Sequence, residues 1–215
     1  MGRLVVIEGL DGAGKRTLSE GLTKALHAQG ASVATLAFPR YGRSVYADLV
    51  REALHRGHGD LADSVYGMAM LYALDRRGAL GEITGALERH DVLLLDRYVS
   101  SNAAYGAARL HQDAHGEFVA WLKELEIDRF GLPVPDLQLL LRVTPEVAAA
   151  RAEHRARSES DRAKDSFESD DALQARCAHV YDELAGESWL SEWRVVDGTA
   201  AFDPAELSRW LVHPG

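Results

Sequence analysis

The stretch Gly9-Leu10-Asp11-Gly12-Ala13-Gly14-Lys15-Arg16-Thr17 sets two glycines and a lysine at the spacing G-x4-G-K, that of a phosphate-binding loop. The residue types follow from the chemistry of an anion. Glycines let successive backbone N–H groups turn inward on a phosphate oxygen, because no Cβ blocks the approach. A helix beginning at the lysine would bring its unpaired N–H groups and positive dipole end to the same oxygens. Lys15 adds a mobile point charge for the β/γ region of a nucleoside triphosphate. Two readings compete with this one. The first is a plain glycine turn with a solvated lysine. The second is a dinucleotide-binding turn, but Thr17 stands where that fingerprint wants Gly or Ala, and Phe38-Pro39-Arg40 where it wants an acidic residue. Strand, spacing, lysine and following helix together favour a mononucleotide site. Arg16 takes the place where Ser or Thr ordinarily binds magnesium, so how the metal is held stays open.

The elements that must position this loop are legible from hydrophobic periodicity. Leu4 to Ile7 reads as a buried strand, and Leu18, Leu22, Ala25 and Leu26 recur at helical spacing up to Gly30. Ser32 to Ala37 predicts a second strand. Ser44 is a candidate cap for a helix running to about Arg56, with Val45, Leu49 and Ala53 on one face, ended by Gly57-His58-Gly59. A long helical pattern covers Leu61 to Arg89, interrupted by Gly67, Gly78, Gly81 and Gly85. Val92 to Leu95 is a short apolar strand ending in Asp96. Helices are expected over Ser101–Leu110 and Gly116–Phe130, a strand over Leu137–Val143, and Pro145 suits the first turn of a helix. Arg151 to Lys164 is polar and basic, with little apolar periodicity. A helix over Asp171–Leu184, a strand over Trp193–Val196 and a helix over Pro204–Leu211 complete the pattern. Strands alternating with helices imply an α/β fold: a parallel sheet of about five strands, of the P-loop NTPase type, covered by helices on both faces. No repeat, low-complexity tract or linker divides the chain, so residues 1–215 are expected to form a single domain.

Bulk properties narrow the function. A formal charge of -9 argues against nucleic-acid binding, which favours basic surfaces. The single cysteine, Cys177, forms no internal disulfide and suits a reducing cytosol, as a small buried residue rather than a nucleophile. No apolar run reaches membrane-spanning length, and no signal-peptide core precedes Glu8. A cytoplasmic protein is expected, with no membrane partner. The histidines show no paired ligand spacing and are given no catalytic or zinc role.

Ligands gather at the carboxyl ends of strands in a parallel sheet. That rule brings together Gly9 to Thr17, Phe38-Pro39-Arg40 and Asp96-Arg97-Tyr98, each directly after a predicted strand. Tyr72 and Arg76 lie four apart and Asn102 and Tyr105 three apart, so each pair shares a helical face. The plain reading makes Tyr72 a core residue, Arg76 a surface partner of Asp75, and Tyr105 a packing aromatic.

Gly9-Leu10-Asp11-Gly12-Ala13-Gly14-Lys15, Phe38-Pro39-Arg40-Tyr41 and Asp96-Arg97-Tyr98-Val99-x-Ser101-Asn102-x-x-Tyr105, in that order, resemble the bacterial thymidylate kinases, and the resemblance extends over nearly the whole chain. It implies transfer of the γ-phosphoryl group of ATP to dTMP, with Mg²⁺ as cofactor and a homodimeric enzyme. It places Tyr72 on the thymine ring, where the family more usually has Phe, and Arg76 on the carbonyl edge of the base. Asn102 is expected to meet the base, with Ser101 a further base-edge candidate. Tyr105 would lie where a ribose 2′-hydroxyl needs space. Phe38 and Tyr41 belong to the same dTMP-binding set. Arg40 and Arg97 would hold the acceptor phosphate, since a guanidinium fork matches phosphate oxygens.

Asp96 closes its strand as a Walker-B-like carboxylate, and Asp11 would bridge to the acceptor phosphate or its metal. The basic run Arg151-x3-Arg155-x-Arg157-x4-Arg162-x-Lys164 matches the family's lid over ATP, about residues 151–165. Arg155 is the first choice for contacting the transferring phosphoryl group, with Arg151 and Arg162 as supporting donors and Arg16 able to share the role. Asp165 would tether the lid and accompany dTMP, and Glu168 is a further metal candidate; the family often has Arg where Ser166 stands. The catalytic set so implied is Lys15, Arg155, Arg97 and Asp11. A kinase for another nucleoside monophosphate and a non-catalytic ATP sensor remain as alternatives.

Overall fold

The computed structural model describes residues 1–55, 57–158, 167, 170–200 and 202–212. Five strands, β1 (Arg3–Glu8), β2 (Val33–Ala37), β3 (Val92–Asp96), β4 (Leu137–Arg142) and β5 (Glu192–Asp197), form one sheet in the order β2-β3-β1-β4-β5. All four pairings are parallel. The central strands are largely apolar because helices cover both faces; Leu4 to Ile7, Leu93 to Leu95 and Leu139 to Leu141 are buried almost completely. The chain leaves β1 toward β3 and β2 but leaves β4 toward β5. Their carboxyl ends therefore open a crevice at a topological switch point, where ligands bind in such sheets.

Helix α1 (Lys15–Ala28) buries Lys15, Leu18, Leu22 and Leu26, the helical stripe expected. The helix after Ser44, α2 (Val45–Leu54), turns a different face inward: Ala47, Val50, Ala53 and Leu54 are buried, whereas Val45 is 64% exposed. The long pattern over 61–89 is not one helix. A 3₁₀ turn at Leu61–Asp63 precedes α3 (Val65–Gly78), whose first turn is capped by Ser64 accepting from the N–H of Gly67. Ala79 then separates α3 from α4 (Leu80–Arg89).

Helix α5 (Val99–Arg109) carries small residues on nearly every side and is buried along most of its length. Gly106 lets α6 (Glu117–Lys123) approach, since a Cβ there would stand 2.1 Å from the Phe118 ring. The expected helix over 116–130 continues as a π-helical turn at Glu124–Arg129, which re-aims Glu126 into the interior. Helix α7 (Pro145–Ser158) extends into the basic stretch that lacked apolar periodicity. Helices α8 (Asp171–Gly186) and α9 (Pro204–Val212) complete the coat, α8 burying Cys177 against the core as expected. Among the described residues, no helix is long and apolar enough to cross a membrane.

Candidate active site

The loop after β1 is shaped by its glycines. Gly9, Gly12 and Gly14 have φ of 140°, 83° and 102°, a region other residues rarely adopt. A Cβ on Gly9 would also lie 2.6 Å from the carbonyl oxygen of Leu141 in β4. Gly14 is the N-cap of α1, and no side chain caps its first turn, which holds no acidic residue. Backbone N–H groups and the positive end of the helix thus face the crevice, an arrangement suited to phosphate. Lys15 is buried, and its Nζ donates to the carbonyls of Gly9 (3.1 Å) and Leu10 (2.9 Å). Burial and the neighbouring Arg97 charge bring its pKa down to about 8, against the pull of Asp11, Asp96 and Glu8. Arg16 and Thr17 lie on the exposed side of α1, with Arg16 paired to Glu20.

Arg97 follows β3 in the left-handed region at φ 68°. Its Nη2 donates to Asp11 Oδ1 (2.6 Å) and its Nη1 to Ser101 Oγ (3.0 Å). Tyr105, one turn further along α5, donates its hydroxyl to Asp11 Oδ2 (2.8 Å). Burial alone would raise the Asp11 pKa, but Arg97, Lys15 and the Tyr105 hydrogen bond hold it well below the usual carboxylate range. The phosphate loop, the β3 end and α5 are therefore joined through one carboxylate. Burial and the Asp11 charge keep Tyr105 neutral, its pKa far above that of a free phenol.

Arg40 is placed from behind. Asp75 accepts from its backbone N–H (2.9 Å) and its Nε (2.9 Å), and the Asp75 carbonyl accepts from Nη2 (2.7 Å). Nη1 lies 3.5 Å from Glu82. Asp75 is thus the partner of Arg40, not of Arg76. Phe38, buried before a cis Pro39, packs against Tyr98 at 6.2 Å between ring centroids. Tyr41 is 40% exposed under the Arg51 guanidinium.

Arg76 corrects the plain surface reading. It is buried, and its Nε and Nη2 form a bidentate pair with Glu126 (2.5 and 2.7 Å). Burial disfavours the guanidinium charge, and the Glu126 carboxylate more than offsets this. Asn102 gives both amide hydrogens away, to the Ala69 carbonyl (3.0 Å) and to Glu126 (2.9 Å). Any ligand contact by Asn102 must therefore use its Oδ1 as acceptor. Tyr72 is half-buried against the satellite cluster of Val50, Ala53, Leu54 and Met68.

Of the basic run, Arg151 is placed: its guanidinium donates to the Ala13 carbonyl (3.1 Å) and to Gly198 (3.0 Å), docking α7 on the phosphate loop. Arg162, Asp165 and Glu168 lie outside the described residues, as does the side chain of Arg155. Glu8, Glu126 and Tyr181 were missed from the sequence, and Asp75 was given the wrong partner. Of the three missed, Glu8 alone carried a signal, a charged residue closing an otherwise apolar run.

Mg²⁺ takes oxygen ligands and keeps several waters, so a few carboxylates and substrate phosphates suffice. Asp96 fits: its Oδ1 is buried with no hydrogen-bond partner among the described residues, and its charge acts on Lys15. Asp11 fits less directly, both oxygens being engaged by Arg97 and Tyr105. No group of three or more metal-ligating side chains occurs among the described residues.

Fold and crevice together are those of an α/β protein built to receive phosphates between its first strand and first helix. The family model for thymidylate kinase matches residues 7–197. A thymidylate kinase of Mycobacterium tuberculosis (strains CDC 1551/Oshkosh and ATCC 25618/H37Rv) is 54% identical over 211 residues, covering 98% of both chains. Another, of Xanthomonas oryzae pv. oryzae (strain PXO99A), is 36% identical over 206 residues, or 94% of this chain and 78% of that one. The chain belongs to the thymidylate kinase family.

Proposed function

We propose that the protein transfers the γ-phosphoryl group of ATP to dTMP, giving dTDP and ADP, as a cytoplasmic, homodimeric step in dTTP synthesis. The observation that carries this reading is the junction of Lys15, Asp11, Arg97 and Tyr105 at the carboxyl ends of β1 and β3. It sets a triphosphate-binding loop beside a guanidinium suited to a second phosphate.

Phosphoryl transfer requires positioning and charge stabilisation more than covalent chemistry. A dTMP phosphate oxygen attacks the γ-phosphorus in line. The bond to the bridging oxygen breaks, and that oxygen leaves with the electron pair on ADP. The attacking oxygen is already anionic, so no general base is needed. Lys15 and the α1 N-terminus hold the donor phosphates, and Arg151 fixes the base of the lid against the loop. Arg155, with Arg162 and Arg16 as supporting cations, neutralises charge on the group in transfer, a role worth about 10³–10⁵ in rate for such arginines. Arg97, Arg40 and Asp11 hold the acceptor phosphate. Mg²⁺, held through Asp96 with Asp11 or Glu168, would supply further charge neutralisation when bound. Tyr72, Arg76 and Asn102 receive the base, whereas the Ser101 hydroxyl, also a base-edge candidate from the sequence, is engaged by Glu8 and Arg97 instead; Tyr105 closes the space a ribose 2′-hydroxyl would need. Lid closure excludes water and suppresses ATP hydrolysis.

The homodimer is supported by an aromatic patch on α3 and α6. Tyr66, 44% exposed, packs edge-on against Trp121 with ring centroids 4.8 Å apart.

The test is ADP production from Mg-ATP with dTMP, dUMP, dCMP, dGMP, UMP and AMP separately. Strong stimulation by dTMP, less by dUMP and none by UMP is expected. Preference for another monophosphate would keep the kinase and reject the pocket assignment. ATP binding without transfer to any acceptor would make the protein a sensor.

A further inference from the structure

Glu8 closes β1 directly before the phosphate loop, and it is fully buried. Four donors converge on its carboxylate. Oε1 accepts from the backbone N–H groups of Tyr98 (2.9 Å) and Ser101 (3.2 Å). Oε2 accepts from the hydroxyls of Ser101 (2.5 Å) and Tyr181 (3.0 Å). The first pair caps the start of α5 from another strand, because Tyr98 precedes that helix without a capping side chain. Burial raises the Glu8 pKa, and the Ser101 hydrogen bond, the Arg97 charge and the Tyr181 and Tyr98 hydrogen bonds act against it.

The second pair determines where one hydrogen points. A serine hydroxyl has one hydrogen and two acceptor lone pairs. The carboxylate takes that hydrogen, so Ser101 Oγ can only accept from its remaining neighbours. Arg97 Nη1, at 3.0 Å, is such a donor; the Tyr181 hydroxyl lies 2.9 Å away, but its single hydrogen goes to Glu8 Oε2. Arg97 itself stands at a left-handed φ of 68° directly after β3. Ser101 on one side and Asp11 on the other aim its fork at the crevice.

We propose that Glu8 and Tyr181 are positioning residues for the acceptor-phosphate arginine: Glu8 makes Ser101 a hydrogen-bond acceptor toward Arg97, and Tyr181, donating to the same Oε2 from α8, holds that carboxylate oxygen in place. This rests on the reading of Arg97 as the acceptor-phosphate ligand. Tyr181 also ties α8, the first described helix after the lid, to the strand that starts the phosphate loop. The acceptor side is thereby set by a residue of β1 that touches neither substrate.

The test is the isosteric variant Glu8→Gln, with Ser101→Ala and the double variant, in steady-state assays of the full chain. In Glu8→Gln the new side chain must keep its carbonyl on the two backbone N–H groups. Its amide hydrogens then meet the two hydroxyls, which lose their common acceptor, and Ser101 turns its hydrogen toward Arg97. KM for dTMP is expected to rise roughly ten- to a hundredfold, the range for a hydrogen bond to a charged group. KM for ATP should stay within about twofold and kcat should change less than KM for dTMP, a split that general loosening of the loop would not give. In the Ser101→Ala background, Glu8→Gln should add little, because the carrier of its effect is gone. Tyr181→Phe, which removes only the bracing hydroxyl, should raise KM for dTMP by less than Glu8→Gln and spare KM for ATP, and it serves if Glu8→Gln folds poorly. Equal rises in both KM values, or fully multiplicative effects of Glu8→Gln and Ser101→Ala, would overturn the positioning role. Wild-type activity on dTMP with an unmoved KM in both Glu8→Gln and Tyr181→Phe would sink it alone. A wild-type protein inactive on every monophosphate would remove the reading of the site, and this proposal with it.

Discussion

The two sides of the crevice to which we assign the phosphoryl donor and the acceptor are built in opposite ways. The donor side is contiguous: Gly9 to Lys15 supply backbone N–H groups, a helix terminus and one ammonium. Its geometry comes from glycine dihedrals rather than from side-chain partners. The acceptor side is an assembly of distant side chains. Arg40 is held by Asp75, Arg76 by Glu126, and Arg97 by Asp11 and Ser101. A phosphate loop can thus be local because every residue has an N–H to offer. A pocket that must tell one base and sugar from another needs charged side chains in fixed directions, and each requires a buried partner.

Breaking a side-chain pair of the second side should destabilise the fold. Glu126→Ala leaves Arg76 buried without its carboxylate and Asn102 without one acceptor. A loss of about 3–5 kcal/mol is expected, as for other broken buried pairs, measured by urea denaturation. A change below about 1 kcal/mol would show that the cluster relaxes and that the two sides are alike.

On the donor side the expected damage is to turnover. Lys15→Ala should lower kcat by about 10²–10³, the usual scale for one preorganised donor to developing charge, with stability kept or improved because a buried ammonium is removed. Thermal melts beside single-turnover rates separate these outcomes.

A gentler probe of the same lysine is pH. Folding lowers its pKa to about 8, below the ordinary 10.5, so the protonated form is penalised in the folded state. Stability from this group therefore rises as pH climbs from about 8 toward 10.5. The positive charge to which we assign phosphate binding is lost over the same window. kcat/KM for ATP, which reports the free enzyme, should fall by up to tenfold per pH unit above about 8. A flat profile to pH 10 would place the lysine's titration elsewhere.

Smaller effects sharpen the boundary between the two sides. Tyr105→Phe removes one hydrogen bond to Asp11 and should cost about 0.5–1.5 kcal/mol in stability, while keeping discrimination against UMP, because the ring does the excluding. Strong UMP turnover in that variant would assign exclusion to the hydroxyl instead. The Arg16–Glu20 pair is exposed, and Glu20→Ala should shift stability by no more than about 0.5 kcal/mol.

The legibility of the molecule follows the same division. Strand order and the long split region show it for the fold. Five apolar runs announced five strands, and the glycines of 61–89 marked that pattern as interrupted without saying that the break falls at Ala79, while no local pattern revealed that Glu124–Arg129 winds as a π-turn. On α2, Val45 and Leu49 suggested one apolar stripe, and packing against α3 selected Ala47, Val50 and Leu54 instead. Arg40 and Arg97 were legible as residue types after strands and Arg76 by its spacing from Tyr72, yet their partners were not. Glu126 is 50 residues from Arg76 and sits among Glu124 and Asp128, both exposed. Asp75 was visible, and adjacency suggested the wrong partner for it.

What the chain determined by itself is what nearest neighbours in sequence can enforce: the glycine dihedrals of the phosphate loop, the strand before it, the helix after it, and the apolar runs that must be buried as a parallel sheet. What only the tertiary structure decided is which charges meet. Burying a guanidinium or a carboxylate is tolerable only beside an opposite charge or converging donors. Whether Glu8, Asp75 or Glu126 finds such company depends on strands and helices that come together only when the whole sheet forms.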